Sequence, residues 1–405
     1  MRILVIGSGG VGSAFAAIVG RRRFFESVVM TDIDLQRAER AASLTADPRF
    51  SCAMLDASDS GSVGECLRAH RSDVVLNAAD PRFVMPIFHA ALASGVDYID
   101  MAMSLSRPHP DQPFELPGVK LGDDQFAESG EWTERGRLAL VGMGVDPGIS
   151  DVFARHAADH LFRSIDQVNV RDGDNLVIAG YHFAPTFSIW TAIEECLNPP
   201  VIWERDRGWF TTEPFSGPET FDFPEGIGPV ECVNVEHEEV MLIPRGIDCR
   251  RVTFKYGLGD QFIDVLRTLH LIGLDRTSPV QVRGGSVSPR EVVAACLPDP
   301  AGLGDRMTGR TCVGTWVSGL GTDLQPREVY LYHAVDNEDS MGRDGCQAVV
   351  WQTALGPAVA LELLESGAWQ GAGVSGPEAF PSTPFLDLLA DHGAPYRMEE
   401  LRPLA

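Results

Sequence analysis

Apolar residues fall first into short unbroken runs and later into alternating ones, and this change divides the chain. Ile3-Leu4-Val5-Ile6, Ser27 to Thr31, Phe50 to Leu55, Asp73 to Ala78, Val96 to Asp100 and Leu138-Ala139-Leu140-Val141 are largely apolar on both faces, as strands of a buried parallel sheet are. Helical stretches at Ser13 to Val19 and Val84 to Ser94 lie among them, so the first 145 residues alternate strand and helix. From about Ser150 the pattern becomes one of short β-type runs, at Ile165–Arg171, Leu176–Tyr181, Gly208–Thr211, Arg251–Tyr256, Cys312–Ser318 and Val329–Val335. Helical patterns there cover Ser188–Leu197, Asp260–Leu271 and Pro289–Leu297, which predicts an α+β unit on an antiparallel or mixed sheet. Gln347 to Glu365, after Gly345, is an Ala/Leu-rich helix long enough to return to the first unit.

The first run breaks into Gly7-Ser8-Gly9-Gly10-Val11-Gly12, a G-x-G-x-x-G turn between a strand and a helix, with Asp32 twenty residues past its last glycine at the end of the second strand. Gly7 permits the turn, Gly9 lets backbone N–H groups approach a pyrophosphate, and Gly12 lets the helix pack on the strand. Gly10 and Val11 open that helix. A carboxylate at Asp32 accepts the adenosine ribose hydroxyls and repels a 2′-phosphate, which predicts NAD in preference to NADP. Asp34 is a rival for that contact, or a solvated loop acid. The expected fold is therefore α/β: a Rossmann doubly wound parallel sheet at 1–149, an α+β substrate-binding or dimerisation domain with a mixed sheet at 150–345, and a C-terminal helix and tail at 346–405 packing back toward the Rossmann domain. Ligands of such sheets bind beyond the carboxyl ends of the strands. That places Ile33, Asp56, Ala57, Asn77, Ala78 and Met101 along the cofactor, with Asp56 either facing the adenine or closing a turn. Ser104 to Glu128, rich in Pro, Asp and Gly, reads equally as a lid over the crevice or a surface loop.

The 405 residues exceed one ordinary core, and no segment reaches the roughly 18 uncharged apolar residues that span a bilayer. Acidic residues outnumber basic ones 57 to 33, a formal charge of −24, which disfavours nucleic acid and anionic membranes as partners. The only basic run, Arg21-Arg22-Arg23, falls where the first helix should end and reads as helix capping. The eight cysteines are scattered without a C-x-x-C pair, and the first strand begins two residues after Met1 with no room for a signal peptide; both predict a cytoplasmic protein.

Hydride chemistry needs a second domain that brings a substrate carbon to the nicotinamide. Gly144-Val145-Asp146-Pro147-Gly148-Ile149 lies at the passage between the domains, and Asp146, partly desolvated there, is the candidate proton shuttle to an amine or alcohol; capping of the helix near Ser150 is its competing role. His237 and His182 are further proton carriers, or satisfied structural histidines. Gln261 and Gln347 either hydrogen-bond substrate or cap helices. A substrate carboxylate calls for an arginine, with Arg171, Arg245, Arg283 and Arg310 available, and an ammonium for acids such as Asp260 or Glu194, which otherwise read as surface residues. Glu236-His237-Glu238-Glu239 has metal-ligand residue types, but successive strand residues face opposite sides, so it reads as a solvated charge run; no metal is expected.

These motifs occur together in one known family. The glycine turn, Asn77-Ala78-Ala79, Gly95 to Asp100 and Asp146-Pro147-Gly148 resemble, in that order, the saccharopine dehydrogenase family. Phe221 to Pro229, His237-Glu238-Glu239, Gly259-Asp260-Gln261, Leu297 to Pro300, Thr308 to Thr311 and Gly345 to Val349 are similar to its carboxynorspermidine branch. The resemblance implies NAD(P)-dependent oxidoreduction at a C–N bond of an amino acid or opine-like secondary amine, through an imine, with Asp146 as acid/base and a homodimer as the assembly. Carboxynorspermidine-type reductive condensation and lysine 6-dehydrogenation are alternatives within the family, and a non-catalytic dinucleotide sensor is the alternative outside it.

Overall fold

The computed structural model describes residues 1–401. The unbroken apolar runs form the centre of a seven-stranded parallel sheet. Its strands β1 (Arg2–Ile6), β2 (Ser27–Asp32), β3 (Phe50–Met54), β4 (Val74–Asn77), β5 (Asp97–Asp100) and β6 (Leu138–Leu140) alternate with helices that include α1 (Gly10–Val19), α2 (Leu35–Ser43), α3 (Ser60–Ala69) and α4 (Val84–Ser94). β1 lies between β2 and β4, so the chain reverses direction across the sheet beside β1 and opens a crevice above the glycine turn. The seventh strand, Gly373–Ser375, comes from the far end of the chain and pairs with β6. Sequence reasoning missed it, because three residues in a Gly-rich segment carry no period.

Among the described residues the second sheet has nine strands and is mixed. It runs Gly208–Thr211, Val201–Glu204, Arg251–Gly257, β7 (Phe162–Asp174), Arg310–Gly321, Pro326–Asp336, Arg397–Glu400, with Glu219–Phe223 and Gly228–Asn234 joined at the side. Only β7 and Arg251–Gly257 pair in parallel. The expected strand at Leu176–Tyr181 shrinks to Val177–Ile178, a two-residue pairing with Met307–Thr308. Most of that run serves as loop.

The late helix, Ala348–Ser366, is buried on nearly all sides, as an all-round apolar helix must be. It lies against α1, where Glu362 accepts two hydrogen bonds from Arg22, at 2.7 and 2.9 Å, and Arg21 pairs with Asp344. The Arg21 to Arg23 run thus corrects the capping expectation: α1 ends at Val19 with no basic residue in its last turn, and two of these arginines anchor the C-terminal segment instead. Residues 104–128 are a bracket between the sheets. Ser106 donates to Glu236 at 2.7 Å, Arg107 and Val119 form a backbone bridge, and Arg245 of the second unit lies 3.8 Å over the ring of Phe126.

Backbone meets backbone where the late helix crosses the loop that follows β6. A Cβ on Gly356 would lie 2.2 Å from the Gly144 carbonyl oxygen and 2.7 Å from that of Met143. Gly356→Ala gains about 1 kcal/mol of helix propensity but meets a clash that costs about 1–3 kcal/mol or more. The variant is therefore expected to unfold at lower denaturant concentration and to lose turnover as the Asp146 loop shifts; equal or greater stability in urea titration contradicts this packing.

Candidate active site

The crevice at the carboxyl ends of β1, β2 and β4 continues into a cleft of about 890 Å³ against the mixed sheet. Gly7, Gly9, Gly10, Val11, Asp32, Ile33, Asp56, Ala57, Asn77, Ala78 and Met101 line one end of it. The glycines divide by role. A Cβ on Gly7 would lie 2.4 Å from the Ala78 carbonyl oxygen and one on Gly12 2.0 Å from that of Gly7, so both are demanded by packing, and Gly12 lies behind the cleft surface. A Cβ on Gly9 would meet nothing within 4 Å, leaving the room a pyrophosphate needs. The first α1 bond runs from Ser13 N–H to Gly9 C=O, so the amides of Gly10, Val11 and Gly12 precede the intrahelical ladder and suit an anion. The Asp32 carboxylate is fixed by donors on both oxygens, Ser8 N–H at 3.0 Å and Asp34 N–H at 2.9 Å. Asp34 caps α2 by accepting from Gln36 N–H. Asp56 lines the cleft but also closes a turn, accepting from the Ser58 amide and hydroxyl. Asn77 accepts from Ala79 N–H and donates to the Tyr98 hydroxyl, which fixes the turn after β4.

The other end is acidic. Asp146, Asp172, Asp174, Glu195, His237 and Glu238 line it with Tyr256, and among the described residues Arg37, near Asp32, is the only arginine or lysine in the whole lining. Sheet register assembles part of this wall: Asp172 of β7 pairs directly with Tyr256, and Asp174 follows on the same face. Tyr256 and Asp146 both act on the Asp172 carboxyl. Burial, then the charge of Asp172, raises the Asp146 carboxyl well above the ordinary range, while burial and Asp174 hold Asp172 at about 7; the pair retains a proton at neutrality. Asp146 does not cap the following helix (Ile149–His156). Asp151 does so, accepting from Gly148 N–H at 2.8 Å, which leaves Asp146 for the cleft.

His237 lies flat on Phe254, centroids 3.7 Å apart, two residues before Tyr256 on the same strand face. Its Nδ1 is 2.6 Å from Glu239 Oε2 and 3.5 Å from Glu238 Oε2. Burial alone would push the imidazole down, but Glu239, then Glu238 and Glu195, outweigh it and hold His237 well above its usual value, as an imidazolium. The Glu236 to Glu239 run is thereby corrected: all four residues are buried, in the turn after strand Gly228–Asn234 and at the start of helix Glu239–Gly246, rather than solvated on a strand. Among the described residues no three His, Cys, Asp or Glu side chains form a metal-holding group.

Other expected positions fall elsewhere. His182 is exposed on the cleft rim, and Gln261, also in the lining, donates to the His182 carbonyl at 2.9 Å, bracing the rim loop. Gln347 stands outside the lining; its side chain caps the late helix through Val349 N–H and donates to Thr186 C=O. None of the four candidate arginines reaches the cleft. Arg171 points to the opposite sheet face, by alternation from Asp172, and pairs with Glu219 at 2.6 Å. Arg245 covers Phe126, Arg310 pairs with Asp336 and Glu225, and Arg283 is exposed on a hairpin. Glu194 pairs with Arg290, whereas Asp260 does line the cleft. Residues 104–128 contribute nothing to the cleft lining. Asp172, Glu195, Glu238 and Tyr256 are the site residues that sequence reasoning missed.

A parallel sheet with a glycine phosphate turn, its last loop setting Asp146 against Asp172 of a second sheet so that the pair retains a proton, defines a nicotinamide-dinucleotide oxidoreductase. Residues 3–140 match the model of the saccharopine dehydrogenase NADP binding domain and residues 144–394 that of the saccharopine dehydrogenase C-terminal domain. The chain belongs to the saccharopine dehydrogenase family, whose members are NAD(P)-dependent enzymes acting on CH–NH groups. It is similar to carboxyaminopropylagmatine dehydrogenase of Synechocystis sp., 27% identical over 98% of this chain and 96% of the relative. It is also similar to carboxynorspermidine synthase of Vibrio alginolyticus, 29% identical over 100% and 98%. Its fold matches the apo saccharopine dehydrogenase (L-Glu forming) of Saccharomyces cerevisiae with a TM-score of 0.70 at 13% identity, covering 99% of this chain and 100% of that one.

The buried acids fix how stability depends on pH. Asp100 and Asp172 are raised to about 7 and Glu195, Glu236 and Glu378 to about 8, in each case by burial first. These groups bind protons in the folded chain that the unfolded chain has released, so their stabilisation is complete below the unfolded values and is lost as pH climbs through the folded ones; the raised His237 acts in the same direction. The melting temperature is expected to fall by several degrees between about pH 6 and pH 9, with a shallower slope in Glu236→Gln. A melting temperature that rises across that interval contradicts the buried-acid assignment.

Proposed function

We propose that this enzyme forms or cleaves the C–N bond of a secondary amine in which a carboxyl-bearing aldehyde is joined to a polyamine or guanidino-amine. The observation that carries the reading is the acid wall of Asp146, Asp172, Asp174, Glu195 and Glu238 without an arginine or lysine beside it. A saccharopine-like tricarboxylate would meet buried acids and no arginine or lysine to receive it, whereas a cationic amine favours the ionised form of these carboxyls and is held by them. The full-length similarity to relatives named for carboxyaminopropylagmatine and carboxynorspermidine agrees with this choice. A sensor role without catalysis is disfavoured by a proton-holding pair directed at the cleft.

The chemistry follows from the positions of the carboxyls. In the reductive direction an amine condenses with an aldehyde; protonated Asp146 gives its proton to the departing carbinolamine hydroxyl, water leaves, and the resulting iminium is held among carboxylates that stabilise its charge. Asp172, which shares a proton with Asp146, returns it to Asp146, and Tyr256, opposite Asp172 in the sheet, steadies the pair. The Gly7 to Gly12 turn and Asp32 would hold a nicotinamide dinucleotide, which when bound would supply hydride chemistry at the iminium carbon. His237, an imidazolium paired with Glu239, keeps part of the surrounding negative charge neutral.

NAD is the proposed coenzyme, although the matching family model is named for NADP. Support comes from Asp32 at the β2 end and from Arg37 of the cleft lining, whose charge is shared with Asp34 at 4.0 Å and Asp299 at 3.8 Å. The eight free cysteines support a cytoplasmic setting, and a homodimer is proposed from family resemblance.

An NAD(H)-linked assay with carboxynorspermidine, carboxyaminopropylagmatine and saccharopine tests the substrate reading, which fails if saccharopine alone is turned over. Asp146→Asn is expected to bind NADH normally and to lower kcat by about 100- to 10,000-fold; an unchanged kcat removes Asp146 from the chemistry. Asp32→Ala is expected to shift the NADH/NADPH preference toward NADPH by about tenfold or more in kcat/KM; an unchanged ratio removes Asp32 from coenzyme selection.

A further inference from the structure

One carboxylate in the cleft has an unfilled need. Glu238 is 4% exposed yet contributes to the cleft lining. Its Oε1 accepts from Met103 N–H at 3.3 Å, while its Oε2, also buried, has no hydrogen-bond partner among the described residues. The nearest cation, His237 Nδ1 at 3.5 Å, is already engaged by Glu239 at 2.6 Å. Glu195, on helix Ile189–Leu197, lines the same region and interacts electrostatically with Glu238, Glu236, Glu239 and His237. Ser106 and Asn198 satisfy Glu236, and Ser150 and His237 satisfy Glu239. Glu238 thus stands in the cleft lining with a buried carboxylate oxygen that no protein donor fills.

We infer that Glu238, with Glu195 beside it, is the subsite for the distal cation of the substrate, a primary ammonium or guanidinium separated by a short alkyl spacer from the nitrogen that reacts at Asp146. The chemistry fits: an ammonium carries three N–H donors and a guanidinium five, and either fills the vacant Oε2 while offsetting charge that one imidazolium leaves uncompensated. The subsite selects diamines and guanidino-amines over monoamines, so it sets specificity and takes no part in proton transfer. This assignment rests on the amine reading above.

Titration calorimetry of the NAD-saturated enzyme with 1,3-diaminopropane, agmatine and propylamine tests it. The wild-type enzyme is expected to bind the two dications at least tenfold more tightly than propylamine. Glu238→Gln should lose most of that preference, and Glu195→Gln should reduce it as well, which keeps the test open if one variant folds poorly. Equal diamine affinity in wild type and both variants overturns the subsite and leaves the amine reading standing. Failure of the wild type to bind any of the three amines overturns both.

Discussion

Carboxyl groups removed from water must keep a proton or find a cation, and this constraint governs the site end of the molecule. Around the cleft the chain gathers Asp146, Asp172, Glu195, Glu236, Glu238 and Glu239, and sets a single imidazolium, His237, among them. Hydrogen bonds meet part of the demand, as from Ser106 and Asn198 to Glu236, and a retained proton meets it for Asp146 and Asp172. The remainder is available to bind positive charge. Such an arrangement costs stability, which agrees with a functional origin for the cluster.

The two sheets and the returning helix exist, from this viewpoint, to hold three remote segments in one place. The loop after β6 brings Asp146 to the carboxyl end of the parallel sheet, β7 brings Asp172 and Asp174, and the turn before helix Glu239–Gly246 brings His237 and Glu238. Close backbone contacts fix the relation between them. Gly148 meets Gly144 within the Asp146 loop, Gly356 presses on that same loop from the late helix, and Thr315 of the long antiparallel strand donates to the Ser150 carbonyl at 2.7 Å. The loop is therefore clamped from both domains, as a group that moves a proton over a fraction of an ångström requires.

The parallel sheet was legible because its strands are apolar on both faces and each ends at a turn residue or acid; α4 occurs at Val84–Ser94 as its pattern implies. The glycine turn and Asp32 were legible because the whole contact is local. The place of Asp146 in the loop between the two units was legible, but its partner Asp172 was not: the pairing of Asp172 with Tyr256 depends on register between segments some eighty residues apart, which local pattern does not carry. The acid run at 236–239 was misread because four consecutive polar residues usually mean water. A signal was present in the apolar residues on each side of it, Val233, Val235 and Val240 to Ile243, all buried. The arginine candidates failed on parity, since Arg171 lies one residue from Asp172 and so on the other face of the sheet.

The central claim is that the acid wall receives a cationic amine with its reacting nitrogen at Asp146. A crystal structure of the enzyme with reduced coenzyme and a carboxyalkyl polyamine tests it most directly. The account places the secondary nitrogen within hydrogen-bond reach of Asp146 and the far cation at Glu238. A ligand whose carboxylate occupies the wall, or whose nitrogen lies against Arg37 and Asp32, contradicts it.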